Sequence, residues 1–401
     1  MNRRAFLQKT ALATAGTMLI PSFLKAFESP LLPNKAKGEK ILVVIQFSGG
    51  NDGLNTVVPF QNDIYYAKRP RLAVPKIEAL HLNDELGLNP VMAGLHKLYE
   101  KGFLTVINQV GYPNPDRSHF RSMDIWQTAS ASNEYLSTGW LGRYLDATCG
   151  RDCKTAHEVV EIDDMLSLAL KGDKIKGLAT TNAKKIYEAT QNKHIQRLSQ
   201  LAPQYKDERE EATYLYKTLA ETVSSASYLY SKTKTYNATQ IYPDNEFAQQ
   251  LKTIAQLINA GVDTSVYYTS LTGFDTHVNQ KNQHEKLLKT YSEAIETFVK
   301  DLQTGGRWSD VMVMTFSEFG RRVSQNASGG TDHGTANNLF LLGGSLQKAG
   351  VWNEAPNLTD LDEGDLKYKV DFRDIYATIL RKHLQADHKV ILGGEFQMLD
   401  F

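Results

Sequence analysis

Cysteine is nearly absent from this chain of 401 residues, with only Cys149 and Cys153 present. Two thiols without a histidine pair beside them make a poor zinc site, and no Cys-x-x-Cys-His haem motif occurs. Their spacing allows a small-loop disulfide in an oxidising compartment or two unpaired thiols, and leaves both open. Net charge is also absent: Lys+Arg and Asp+Glu are 45 each. That removes the basic field a nucleic-acid partner needs. No stretch approaches the ~20 apolar residues of a membrane span, so no permanent span is expected. A dinucleotide Gly-x-Gly-x-x-Gly after a strand is missing, which ranks a redox role last. The Gly-x-Ser-x-Gly elbow of serine hydrolases is missing too, since Phe47-Ser48-Gly49-Gly50 lacks the first glycine. There is no internal repeat and no low-complexity segment. What remains is ordinary globular composition, 41% hydrophobic and 22% charged, at a length that suits one large α/β domain or two modest ones.

The first residues are the most diagnostic. Asn2-Arg3-Arg4-Ala5-Phe6-Leu7 is a twin-arginine pattern, followed by a short apolar stretch over residues 11–24. It predicts a signal peptide over residues 1–26, with Ala26 the best small residue near its end, and export in the folded state to the periplasm or beyond. The competing reading is an amphipathic helix of the fold. Residues 27–39 read as a linker, and residues 40–401 as the folded domain.

Residues 41–47 form an apolar, mostly β-branched run broken only by Gln46, the mark of a strand buried on both faces of a parallel sheet. Similar runs occur at 103–107, 264–270, 311–316 and 339–342. Helical periodicity appears at 90–100, 246–260, 283–302 and 374–384. The first two strands with the helix between them read as one βαβ unit. Residues 150–245 are polar and mostly helical in pattern, with a helical insertion about 165–245. The alternation predicts a single mostly parallel sheet with helices on both faces.

In such sheets, sites form where strands end at their carboxyl edge. Asp52 follows the first strand, Asp275 and His277 follow 264–270, and Glu318 follows 311–316. Asp332 and His333 precede the fourth strand. Each alone reads as a turn or capping residue. Together they supply the carboxylates and imidazoles that divalent metals take. A second cluster, Arg117-Ser118-His119-Phe120-Arg121, opens a helix after the 103–107 strand. Ser118 there is either a nucleophile or metal ligand at a helix N-terminus, or only the helix cap. Arg117 and Arg121 are candidate donors to an anion.

The twin-arginine leader, then "FSGGNDGLNTVVP", "RSHFRSMDIWQ", "GFDTH", "TFSEFGRR", "GGTDHGTANN" and "DFRDIYATIL", in that order, resemble the exported domain of unknown function 1501 family. That family is grouped with the alkaline phosphatase-like and sulfatase-like superfamily. The resemblance implies an alkaline phosphatase-like three-layer α/β sandwich and a dinuclear metal site with a hydroxyl nucleophile at a helix start. By it, Asp52 matches a ligand of one metal and Ser118 the nucleophile. Asp275, His277 and His333 match ligands of the other metal, with Asp332 beside them. Ser317-Glu318 replaces an Asp-His pair, so one subsite becomes oxygen-rich and suits calcium, magnesium or manganese, while the other suits zinc. The implied activity is hydrolysis of phosphate or sulfate esters, small or polymeric, after export by the twin-arginine translocase. The alternative is a binding or assembly protein that keeps the fold and part of the metal site.

Overall fold

The computed structural model describes residues 39–148, 156–201 and 210–401. The expected signal peptide, most of the linker, and Cys149 and Cys153 lie outside the described residues.

Nine strands form the main sheet: β1 (Ile41–Ser48), β2 (Leu104–Gly111), β3 (Val159–Glu161), β4 (Leu178–Ala179), β5 (Val266–Thr272), β6 (Val311–Ser317), β7 (Asn337–Gly343), β8 (Gly350–Val351) and β9 (Val370–Asp371). Their order is β8-β2-β7-β6-β1-β5-β3-β4, with β9 also on β2. β1 is central because its alternate residues are apolar on both sides. It runs parallel to β5, Leu42 opposite Val266, and to β6, Ile41 opposite Val311.

Ile41, Val43, Ile45 and Phe47 face one helical layer: α2 (Ala93–Glu100), α8 (Glu246–Asn259) and α9 (Gln280–Thr304). Leu42 and Val44 face the other: α3 (His119–Thr128), α4 (Trp140–Thr148), α10 (Phe372–Thr378) and α11 (His388–Leu392). Trp126 of α3 stacks between Phe316 of β6 and Phe372 of α10, with ring centroids 4.8 and 4.3 Å away. The architecture is thus a three-layer α/β sandwich around a mostly parallel sheet. A smaller apolar cluster, Leu54, Phe60, Tyr65 and Val323 among it, lies under the connections that include α1 (Asp63–Lys68). Within 165–245 the described residues give the edge strand β4 and the helices α5 (Ala183–Thr190), α6 (Lys193–Leu201) and α7 (Glu210–Thr233).

Two features depart from the sequence reading. β1 and β2 point the same way but are not neighbours, because β6 and β7 lie between them; the expected βαβ unit is not a simple one. β7 is antiparallel to both β2 and β6. This reversal positions the site: the residues preceding β7 arrive at the edge where β1, β5 and β6 end. No helix of the described residues is long and apolar enough to cross a membrane.

Candidate metal centre

Four connections meet at that edge. After β1 the chain turns through Gly49, at φ +118°, where a Cβ would stand 2.4 Å from the Asp275 nitrogen. Only glycine lets the β1 and β5 loops cross so closely. After β6, Gly320 and Arg322 pair by backbone with Thr335 and Asp332, at 2.7 and 3.0 Å. This stitches the post-β6 loop to the pre-β7 loop that carries His333. The fourth connection ends at α3, whose first residue is His119.

Asp275 is the focus. Its Oδ1 lies 3.5 Å from His119 Nε2, 3.0 Å from His277 Nε2 and 3.3 Å from His333 Nε2. Arg321 donates to the same oxygen from Nη2 at 2.8 Å. Burial raises the Asp275 carboxyl, but the hydrogen bond and charge of Arg321, with the neighbouring imidazoles, outweigh it and hold its pKa down to about 2.

The far side of each ring is anchored. His119 Nδ1 is 2.9 Å from Glu318 Oε1, His333 Nδ1 is 2.8 Å from the Arg117 carbonyl, and His277 Nδ1 is 3.4 Å from Asp332 Oδ1. A carbonyl only accepts, so His333 carries its proton on Nδ1, and a carboxylate assigns His119 in the same way. Neutral rings so held turn bare Nε2 lone pairs inward. Burial lowers the pKa of His333, while the Glu318 hydrogen bond raises that of His119.

Two observations test whether this set fits a metal. His119 Nε2 is buried with no hydrogen-bond partner. His277 Nε2 and His333 Nε2 lie 2.9 Å apart, lone pair to lone pair unless a proton or cation intervenes. Metal–ligand bonds of about 2.0–2.1 Å at tetrahedral angles put ligand atoms about 3.3 Å from each other. The measured separations around Asp275 bracket that value. Among the described residues, His119, Asp275 and His333 form a set able to hold an ion, their ligand atoms all within 4.8 Å of one another. His277 is not one of that set; its Nε2 lies against Asp275 Oδ1 and His333 Nε2, at 3.0 and 2.9 Å.

The other residues singled out from the sequence are placed as follows. Glu318, wholly buried, accepts from Gly49 N at 2.8 Å as well as from His119, and so orients a ring. Asp332 accepts from Asn326 at 3.1 Å and braces His277. Asp52 is fully buried and held by Arg69 Nη1 at 2.6 and 2.8 Å. Burial raises its carboxyl, but the charge of Arg69 together with hydrogen bonds from Arg69 and Gln280 and the nearby His284 outweighs that, lowering it. The Arg117 side chain binds Asp365 at 2.5 Å. Arg121 points away: its Nη2 serves the carbonyls of Ala131, Ser132 and Glu134, and its guanidinium lies 3.9 Å over the Tyr135 ring. Ser118 is the exposed N-cap of α3, its hydroxyl making no capping bond.

Sequence reasoning passed over His119, Arg69 and Arg321. His119 had the same signal as the others, a histidine just past the carboxyl end of a strand. Arg69 had none, lying 17 positions beyond Asp52 at the end of a short helix.

A model of the family described as "Protein of unknown function (DUF1501)" matches residues 104–397. No curated protein matches. Among solved structures, the chain is similar to the PsFucS1 sulfatase from Pseudoalteromonas sp., at 12% identity, covering 95% of this chain and 75% of that one, with a TM-score of 0.40. A protein in the alkaline phosphatase superfamily from Vibrio parahaemolyticus gives 9% identity, 90% and 67% coverage and a TM-score of 0.36. The C-terminal periplasmic domain of EcEptC from Escherichia coli, in complex with Zn, gives 9%, 77% and 74%, and 0.35.

Proposed function

The chain belongs to the DUF1501 family, and on that premise we propose that it is an exported, metal-dependent hydrolase of phosphate or sulfate esters. The observation that carries this is the convergence of three imidazole Nε2 atoms on one Asp275 oxygen, one of them buried and unpaired. Three nitrogens and one carboxylate oxygen are the donor set of zinc-like ions. A bound divalent ion supplies Lewis-acid polarisation of an ester oxygen. The chain's own groups do the rest. Asp275, His119, His277 and His333 hold the ion, while Glu318, Asp332 and the Arg117 carbonyl fix ring tautomers. The Ser118 hydroxyl, free of any capping bond and next to His119, stands at the N-terminus of the ten-residue helix α3, where backbone N–H groups favour an anionic ester. It is the candidate nucleophile. The twin-arginine pattern at residues 2–7 supports export.

A second reading, a metal-bearing binding or assembly protein without turnover, is favoured by one observation. Both arginines expected to meet the ester anion are engaged elsewhere, Arg117 by Asp365 and Arg121 by carbonyls. The test is a panel of aryl phosphate and aryl sulfate esters offered to protein loaded with zinc or manganese, beside Ser118→Ala and His333→Ala. Turnover lost in both variants supports the hydrolase. A tightly held ion with no turnover leaves the binding role, and no ion removes both.

A further inference from the structure

We infer that this centre takes one metal ion per chain, because the fixed guanidinium of Arg69 occupies the carboxylate that a second ion would need. The inference rests on the metal reading proposed above and departs from the dinuclear site that the sequence resemblance implies. A second, oxygen-rich subsite would draw on Asp52 and Glu318.

Neither carboxylate is free. Asp52 and Arg69 are both 0% exposed, with Arg69 Nη1 2.6 Å from Asp52 Oδ2 and 2.8 Å from Oδ1. Gln280 Nε2 donates to the same Oδ2, and Gln280 is itself fixed by Thr331 at 2.6 Å. Arg69 has no room to withdraw: Nε donates to the Val323 carbonyl and Nη2 to the Arg322 carbonyl, each at 2.8 Å, and Nη1 also reaches Asn55 Oδ1 at 3.0 Å. Glu318 is closed as well. Its Oε1 takes the Gly49 N–H and His119 Nδ1, and its Oε2 lies 3.2 Å from the Ser317 hydroxyl oxygen.

Charge forbids simple addition of an ion. A divalent cation at Asp52 would sit against a buried guanidinium in a medium where like charges repel strongly. Displacing Arg69 would instead strip a buried cation of its partner, which costs several kcal/mol. A second guanidinium stands on the same side. Arg321 donates Nε to the Gly50 carbonyl, Nη1 to the Thr331 carbonyl and Nη2 to Asp275, so it bridges the Asp52 loop to the cluster. Two permanent organic cations thus supply the positive charge there, and Arg69 is a positioning residue that holds the β1 loop.

The experiment is zinc stoichiometry of the full exported chain, by native mass spectrometry and elemental analysis with zinc alone as the probe. One ion per chain is expected. His333→Ala should weaken zinc by more than the about 100-fold that loss of an outer-shell partner brings. Asp52→Asn strands Arg69, so Asp52→Asn combined with Arg69→Gln is measured beside it, with circular dichroism to establish folding. The folded double variant should still hold one ion. Two ions in the wild type, or an ion lost from the folded double variant, overturns the inference. A wild type that binds no zinc overturns the metal centre itself, so the two failures are distinguishable.

Discussion

Replacing Glu318 with glutamine separates the task of holding an ion from that of holding the fold. Glu318 is wholly buried, and its Oε1 accepts from His119 Nδ1 at 2.9 Å and Gly49 N at 2.8 Å. A glutamine carbonyl can keep both bonds. The new amide N–H can donate to Ser317 Oγ, whose own proton already goes to the Phe47 carbonyl at 2.7 Å. The fold is therefore expected to survive. What is lost is the charge: a charge-assisted hydrogen bond is roughly twice as strong as a neutral one, and the His119 ring becomes a poorer donor to the ion. Loss of such an outer-shell partner weakens metal binding 10–100-fold, about 1.4–2.7 kcal/mol. The assay is zinc competition with a chromogenic chelator, with melting of the metal-free protein as control. A pH signature accompanies it. The Glu318 hydrogen bond raises the pKa of His119, so in the wild type a proton competes with zinc from higher pH than at an ordinary histidine. In Glu318→Gln that competition should begin at lower pH. Unchanged zinc affinity in a folded Glu318→Gln would refute the assignment of His119 as a ligand.

Two further expectations address buried groups off the centre. His284 is fully buried beside Asn51 at 2.9 Å, and burial holds its pKa down to about 4. The unfolded chain takes that proton first, near about 6.5, so the stability is full above that value and lost as pH falls toward the folded one; His284→Gln should flatten the fall of melting temperature across this window, and an unaltered profile would contradict the account. Arg121→Ala removes a buried guanidinium from three carbonyls and should cost about 2–3 kcal/mol in urea unfolding with zinc affinity unchanged; weaker zinc binding at undiminished stability would place Arg121 in the centre after all.

The strands β1 and β6 were legible because a strand covered on both faces must be apolar at every position. Directions were not: the short run at 339–342 reads the same either way, and only its neighbours make β7 antiparallel. The carboxyl-edge rule nevertheless singled out Asp275, His277 and His333, which lie together in the fold, since it asks only which residues flank strands, and β7's reversal brings its leading loop to that edge. The rule failed to assign partners. Asp52 and Asp275 look alike in sequence, each an acid within two residues of a glycine after a strand. Their fates differ because Arg69, the C-cap of a six-residue helix, folds back onto one of them. Nothing in local periodicity announces such a pairing. His119 was hidden by its neighbours, since Ser118 and the two arginines drew the chemical reading of the segment. The strands β3 and β4 escaped notice because three and two residues inside a polar region are too few to show alternation.

A purely structural role for the cluster around Asp275 meets an arithmetic difficulty with protons. In folded proteins, buried polar atoms find hydrogen-bond partners with few exceptions. Asp275 Oδ1 has one donor in Arg321. Adding a single proton between His277 and His333 would reconcile the 2.9 Å contact of their Nε2 atoms. It would still leave His119 Nε2 buried and unpaired, 3.5 Å from the same oxygen. Adding a second proton, on His119, would set an imidazolium beside one already protonated pair and the Arg321 guanidinium. A divalent ion held by His119, Asp275 and His333 would give the His119 and His333 lone pairs an acceptor and balance the Asp275 charge, leaving the rings only the Nδ1–H that Glu318 and the Arg117 carbonyl are placed to receive.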